Sequence, residues 1–348
     1  MPILKGKLGE FLALGEMAPE VQADVHPVLE VVVDDSRVRD VLETFVKHAC
    51  RHLPKGLVVG VDCGALWRAG PVGGLWTGHS MNWLSEAFGA WLLPLIPVFR
   101  PDDPPGALRE IRDVQRAHGR GAVLRLDLFA GPSDPRDLER VVRAALDRLC
   151  LPPESVDVVL DAGYVPGDTA LTEAVPLLRD TLRWARTRPW RSVVAASGAF
   201  PRSIRALPRG HPNLLPRWDA ALWRKLAGSI DGEFPEFADY GVSHPVPPVR
   251  AGRGAIPHLR YTVADAWLVH VAPGELPGNN DFFTICQSLV HSADWPALGE
   301  KLSWGDAEIA LCARQGRPKA ATATYWRAWA TSHHLAVVTK SLRTMGSP

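Results

Sequence analysis

Charged side chains recur at one kind of place in this chain, the ends of short apolar runs. Lys5 and Lys7 follow Pro2-Ile3-Leu4, and Glu30 lies in the run from His26 to Val33. Asp62 ends Leu57–Asp62, and Arg100 follows Leu93–Phe99. Arg125 and Asp127 sit in Ala122–Leu128, Asp161 ends Val156–Asp161, Ser197 ends Ser192–Ser197, and Asp239 with Tyr240 lies in Glu236–Gly241. The cations Lys5, Arg100 and Arg125 suit an anionic group, Arg above all for its planar fork of donors. The carboxylates suit proton transfer. The chemistry expected of this set gives Asp127 or Asp161 the general base and Glu30 or His333 the acid. Lys5, Lys7, Arg100, Arg125, Asp62, Ser197, Asp239 and Tyr240 are then expected around an anion. A plainer reading stands beside it: charges at strand ends also pair with one another and merely satisfy burial.

Such residues converge only if the runs are parallel strands of one sheet. Between successive runs lie amphipathic stretches, Arg37–His52, Ser80–Ala90, Pro105–His118, Pro135–Cys150, Ala170–Thr187 and a less regular one within Arg217–Ile230. Their apolar residues recur at helical spacing, Asp34, Asp35 and Ser36 are candidate caps of the first, and helical crossovers make the strands parallel. Eight such units predict an α/β fold, a (β/α)8 TIM-barrel-like domain with its functional groups at the C-terminal strand ends. Residues two apart on a strand share a face, so Arg125 and Asp127 point the same way, as do Lys5 and Lys7 if the strand runs through Gly6. A Gly-rich loop is expected over Trp67–Thr77. The Pro-, Val- and Arg-rich stretch Ser243–Arg253 reads as a surface linker, which divides the chain into a barrel over 1–245 and a C-terminal α+β appendage over 246–348 packed on it.

Several function classes lack a signature. Gly-x-Gly-x-x-Gly after an early strand, Gly-x-x-x-x-Gly-Lys-Ser/Thr and the Gly-x-Ser-x-Gly elbow are all missing, so no cofactor is indicated. His333 and His334 are adjacent, about 100° apart on a helix, and do not form the i, i+4 pair a metal would take; no metal site is expected of them. Magnesium at Asp62, Asp127 and Asp161 would need only these carboxylates and a substrate phosphate, and no spacing calls for it. The Ser197-Gly198 turn offers amides to a phosphate after the seventh strand, or is an ordinary turn. A net charge of +1 gives no global case for nucleic acid or a membrane surface. Five separated cysteines, with no Cys-x-x-Cys pair, and the lack of a leader pattern or spanning segment lead to an expected cytoplasmic location.

In order along the chain come Pro2-Ile-Leu-Lys-Gly-Lys-Leu-Gly-Glu10, Pro27-Val-Leu-Glu30, Leu124-Arg-Leu-Asp127, Val159-Leu-Asp161-Ala-Gly163 and Ser197-Gly-Ala-Phe-Pro201. Then follow Ala238-Asp-Tyr-Gly241, Leu259-Arg-Tyr-Thr262 and Tyr325-Trp-Arg-Ala-Trp-Ala-Thr-Ser-His-His-Leu335. In their order and spacing these stretches resemble the phage-type beta protein family across essentially the whole chain. The resemblance implies a barrel-like unit with an integral C-terminal part, and a phage–host conflict setting. It also admits His333 as a contribution of the last helix to the barrel mouth.

Two functions are therefore expected. One is a barrel whose charged strand-end pocket binds or hydrolyses a phosphate-bearing small molecule or nucleotide. The other is a non-catalytic binding or assembly module of an antiphage defence or phage-interaction complex, with a protein partner encoded nearby.

Overall fold

The computed structural model describes residues 1–33, 36–69, 80–132, 134–229, 234–246, 256–274, 278–316 and 319–348. The expected caps Asp34 and Asp35, most of the Gly-rich loop and most of the Ser243–Arg253 linker lie outside these residues.

Eight parallel strands form one sheet. They are β1 (Ile3–Lys5), β2 (Val28–Glu30), β3 (Val59–Asp62), β4 (Leu95–Phe99), β5 (Ala122–Asp127), β6 (Val156–Tyr164), β7 (Ser192–Gly198) and, after an outlying β8 (Pro212–Pro216), β9 (Glu236–Asp239). A parallel bridge between Pro2 and Asp239 joins the last strand to the first, which makes the sheet a barrel. Around it run α1 (Leu8–Gly15), α2 (Pro19–Gln22), α3 (Val38–His52), α4 (Gly64–Ala69), α5 (Ser80–Ala90), α6 (Pro105–His118), α7 (Pro135–Leu149), α8 (Asp168–Ala185) and α9 (Trp218–Ala227). This is the (β/α)8 TIM-barrel-like arrangement that the alternating pattern predicts.

The interior is filled in layers, as alternation along parallel strands requires. A lower apolar layer holds Ile3, Val28, Val98, Val123, Val159, Val194 and Ala238. Two residues further along the same strands the inward side chains turn polar: Lys5, Glu30, Arg100, Arg125, Asp161 and Tyr240. Gly60 and Asp62 follow the same register, since Gly60 pairs with Val28 and Asp62 with Glu30. The outward residues pack under the helices in the main core, among them Leu4, Leu29, Val61, Leu124 and Leu160.

Beyond the barrel, β10 (His258–Thr262) and β11 (Ala266–Val271) form an antiparallel sheet, followed by α10 (Phe282–Val290), α11 (Trp304–Ala313) and α12 (Ala323–Met345). The third strand of that sheet is β8, which leaves the barrel between β7 and α9 to pair with β11. The sequence pattern does not announce β8: prolines at both its ends remove ladder donors and mark an edge strand. The 23-residue helix α12 packs on α1 and on β10. No helix among the described residues is long and apolar enough to cross a membrane.

Candidate functional site

Seven of the eight barrel strands contribute a polar side chain to one layer at the C-terminal end. Arg125 is at its centre. Its Nε donates to Asp161 Oδ2 at 2.8 Å, and Nη1 donates to Glu30 Oε1 and Asp62 Oδ2, both at 2.8 Å. Nη2 donates to Tyr240 Oη at 2.5 Å and also lies 2.8 Å from Asp161 Oδ2. Tyr240 in turn donates its hydroxyl to Asp161 at 2.5 Å. Arg100 forms a two-pronged pair with Asp62, 3.0 Å from Nη1 to Oδ1 and 2.7 Å from Nη2 to Oδ2. Lys5 donates to Glu30 and to the Pro245 carbonyl, and its ammonium lies 5.0 Å from the Tyr240 ring centre. Three cations therefore face three carboxylates, and the layer is neutral as a whole.

Local chain chemistry sets these carboxylates. In Asp62-Cys63-Gly64, Asp161-Ala162-Gly163 and Asp239-Tyr240-Gly241 the aspartate Oδ1 accepts the amide of the glycine two residues on, at 2.8, 2.9 and 2.9 Å. This is the local turn an aspartate makes where a strand ends. Gly163 and Gly241 have φ of +61° and +57°, a conformation that favours glycine. Burial alone would raise the Asp62 carboxyl, but Arg100 and then Arg125 override it and hold it well below the usual carboxylate range. Burial pushes the Tyr240 phenol well above its ordinary value, so it stays protonated and serves as a donor. Next to this layer, Asp103 accepts the Arg100 amide at 2.7 Å, and burial raises its carboxyl to about 6.

Above the charged layer opens a cavity of about 780 Å³. Its wall on one side is the segment after β9, including Pro245 and Val246. That segment is held from three directions: Lys5 takes the Pro245 carbonyl, Arg260 Nη1 donates to the Val242 carbonyl at 2.5 Å, and Arg327 Nη1 donates to Ser243 Oγ at 3.4 Å. On the opposite rim is Arg68 of α4, exposed and without an ion pair among the described residues. Its Nη2 and the Arg100 Nη1 both approach the α-carbon of Gly64: a side-chain carbon added there would lie 3.0 Å from one and 2.4 Å from the other. The two guanidinium groups are thus neighbours at the mouth.

Of the residues singled out in the sequence, Lys5, Glu30, Asp62, Arg100, Arg125, Asp161 and Tyr240 meet in the layer. Asp127 stands at the rim, lining the cavity; its Oδ1 accepts the amides of Phe129 and Ala130 at 3.2 and 3.1 Å. Four others lie elsewhere. Lys7 is exposed ahead of α1, because β1 stops at Lys5 and the chain turns at Gly6. Ser197 and Asp239 pair in register on the outer face of β7 and β9, one residue out of phase with inward Tyr240. There Asp239 meets His334 Nε2 at 2.8 Å, and His334, with Arg217, offsets burial and holds its carboxyl at about 2. His333 is buried in the C-terminal part, stacked on Tyr261 with ring centres 3.7 Å apart. Its nitrogens face Asp306 at 3.0 Å and the Thr262 carbonyl at 2.8 Å. Sequence reasoning missed Arg68, whose only signal is a lone arginine six residues beyond a strand-end aspartate. The described residues hold no cluster of three or more His, Cys, Asp or Glu side chains suited to a metal ion.

Fold and site together define a parallel (β/α)8 barrel with a self-neutralised charged floor beneath a cavity. A family model described as Beta protein matches residues 1–340, so the chain belongs to the Beta protein family. No curated protein matches it.

Proposed function

We propose that the barrel mouth binds a phosphate-bearing small molecule. The observation that carries this reading is the pair of neighbouring guanidinium groups at the cavity rim, Arg100 tied to Asp62 and Arg68 without an ion pair among the described residues. Paired guanidinium donors match the oxygens of a phosphoryl group. Lys5 and Arg125 have a different part in this reading. All five Arg125 N–H groups are taken by Glu30, Asp62, Asp161 and Tyr240, and Lys5 is tied to Glu30 and the Pro245 carbonyl, so these two build the floor, whereas Arg100 gives Asp62 only two of its five N–H groups. Hydrolysis is a further step of the same proposal. Glu30, Asp62 and Asp161 are locked in ion pairs. Of the two further carboxylates that line the cavity, Asp102 and Asp127, Asp127 is the next inward residue after Arg125 in β5. It is assigned to accept a proton from the water that attacks phosphorus as the P–O ester bond breaks and the alcohol leaves. The phage–host conflict setting suggested by the family resemblance belongs with this reading: a barrel of this kind would sense or remove a phosphorylated small molecule.

Isothermal titration with inorganic phosphate, a hexose phosphate and a nucleoside monophosphate tests the binding. At least one is expected to bind, and Arg68→Ala is expected to weaken it by about tenfold or more, the value of a charged hydrogen bond. No binding of any of the three at 10 mM, on the order of the weakest useful affinity, would end the proposal. Phosphate release that survives Asp127→Asn would remove Asp127 as the base, and no release by wild type from an ester that binds would remove the hydrolytic step alone.

A further inference from the structure

The cavity is larger than its charged floor needs, and the excess has one direction. From the mouth it passes the turn after β5 and enters the outer helical layer between α7 and α8. Along this side of the barrel α5 packs on α6, α6 on α7, and α8 on α9, but α7 and α8 stand further apart. The gap is lined by Leu138 and Val141 of α7 and by Leu177 and Thr181 of α8. Its inner wall is Leu126 and Leu128, which alternate with inward Arg125 and Asp127. Thr181 does not make the cleft polar, since its hydroxyl already donates to the Leu177 carbonyl at 2.9 Å. Further along, Glu139 of α7 accepts from Trp184 Nε1 of α8 and from Arg188 Nε, both at 3.0 Å, and so joins the two helices.

A cleft with six aliphatic or methyl-bearing walls, whose one hydroxyl has its hydrogen already committed, suits a hydrocarbon chain. It suits a nucleobase poorly, because the polar edges of the base would be left unpaired. The cleft is continuous with a mouth that offers two guanidinium groups. We propose that the ligand of this site is an aliphatic phosphate ester, with its phosphate at Arg68 and Arg100 and its chain between α7 and α8. This rests on the phosphate reading given above and narrows it to amphiphilic esters.

The test is titration with methyl, butyl, hexyl and octyl phosphate, with octanol as the uncharged control. Affinity is expected to rise about three- to fourfold per added methylene while the cleft fills, the transfer value of a buried methylene. Leu177→Glu, which puts a charge in the cleft, and Val141→Phe, which fills it without one, are both expected to abolish the chain-length dependence. Both should leave methyl phosphate binding unchanged. Equal affinity for methyl and octyl phosphate, or a chain-length dependence that both variants retain, would overturn the inference while leaving the phosphate reading in place. Octanol binding as tightly as octyl phosphate would instead overturn the phosphate reading and the ester assignment with it. Co-sedimentation with vesicles containing phosphatidic acid separates the two sources of this chemistry. Retention on vesicles assigns a lipid, and octyl phosphate binding without retention assigns a soluble ester; either outcome supports the proposal.

Discussion

Arg125 has five N–H donors, and the barrel interior supplies an acceptor for each, from three carboxylates and one phenol. Removing it leaves Asp161, Glu30 and Asp62 facing one another at low dielectric. Breaking a buried ion pair by deleting one partner typically costs about 3–5 kcal/mol. Arg125→Met is expected to lower the stability obtained from urea unfolding by about that amount, and Arg125→Lys to recover only part, because a single ammonium cannot reach all four groups. Asp103 behaves in the opposite way. Its carboxyl is raised to about 6 by burial, above the ordinary 3.8 of the unfolded chain, so the folded state holds the extra proton between those values. Its contribution to stability is therefore present below about pH 4 and is lost as pH rises through 6. Asp103→Asn should remove that loss: the variant should gain about 2–3 kcal/mol on wild type at pH 8 and nothing at pH 4, as followed by denaturant midpoints across pH. The strand-end charges were legible in the sequence because a polar residue closing an apolar run is conspicuous. Arg68 was not, since its role depends on where a short helix after β3 brings a lone side chain.

At the scale of elements, the site depends on how closely the segment after β9 lies on the mouth. Gly198, at the end of β7, allows that approach: a side-chain carbon there would sit 2.6 Å from Pro245 Cγ and 2.7 Å from Tyr240 Cδ2. Gly198→Ala must push the segment outward. It is expected to destabilise by about 1–3 kcal/mol, as overpacking does, and to weaken ligand binding; equal melting temperature and equal affinity in variant and wild type would show that the segment yields freely. The alternation of strands and helices was readable because parallel strands buried on both faces stand out as apolar runs. Pro97 lies within β4 and still pairs in register with Val61, so a proline lowered the signal without removing the strand. In β8 two prolines and a half-exposed pattern hid the strand altogether. Counting to the strand ends groups Ser197 and Asp239 with the inward set, whereas a phase difference of one residue sends them to the outer face.

At the scale of the whole molecule, the barrel and the C-terminal part hold each other. β8 pairs with β11, α12 covers α1, His334 reaches Asp239, and Arg260 and Arg327 hold the segment that walls the mouth. We therefore propose that residues 1–245 and 246–348 unfold as one unit. Scanning calorimetry is expected to give a single transition whose calorimetric and van't Hoff enthalpies agree; two resolved transitions would contradict this. None of these cross-connections could be read from sequence, because each joins residues tens to hundreds of positions apart. The most direct test of the central claim, a phosphate-binding mouth above a self-neutralised floor, is the affinity of hexyl phosphate for wild type, Arg68→Ala and Lys7→Ala. The account predicts that Arg68→Ala loses about tenfold or more in affinity at unchanged melting temperature while Lys7→Ala matches wild type. Equal affinities in all three, or no binding to wild type, would contradict it.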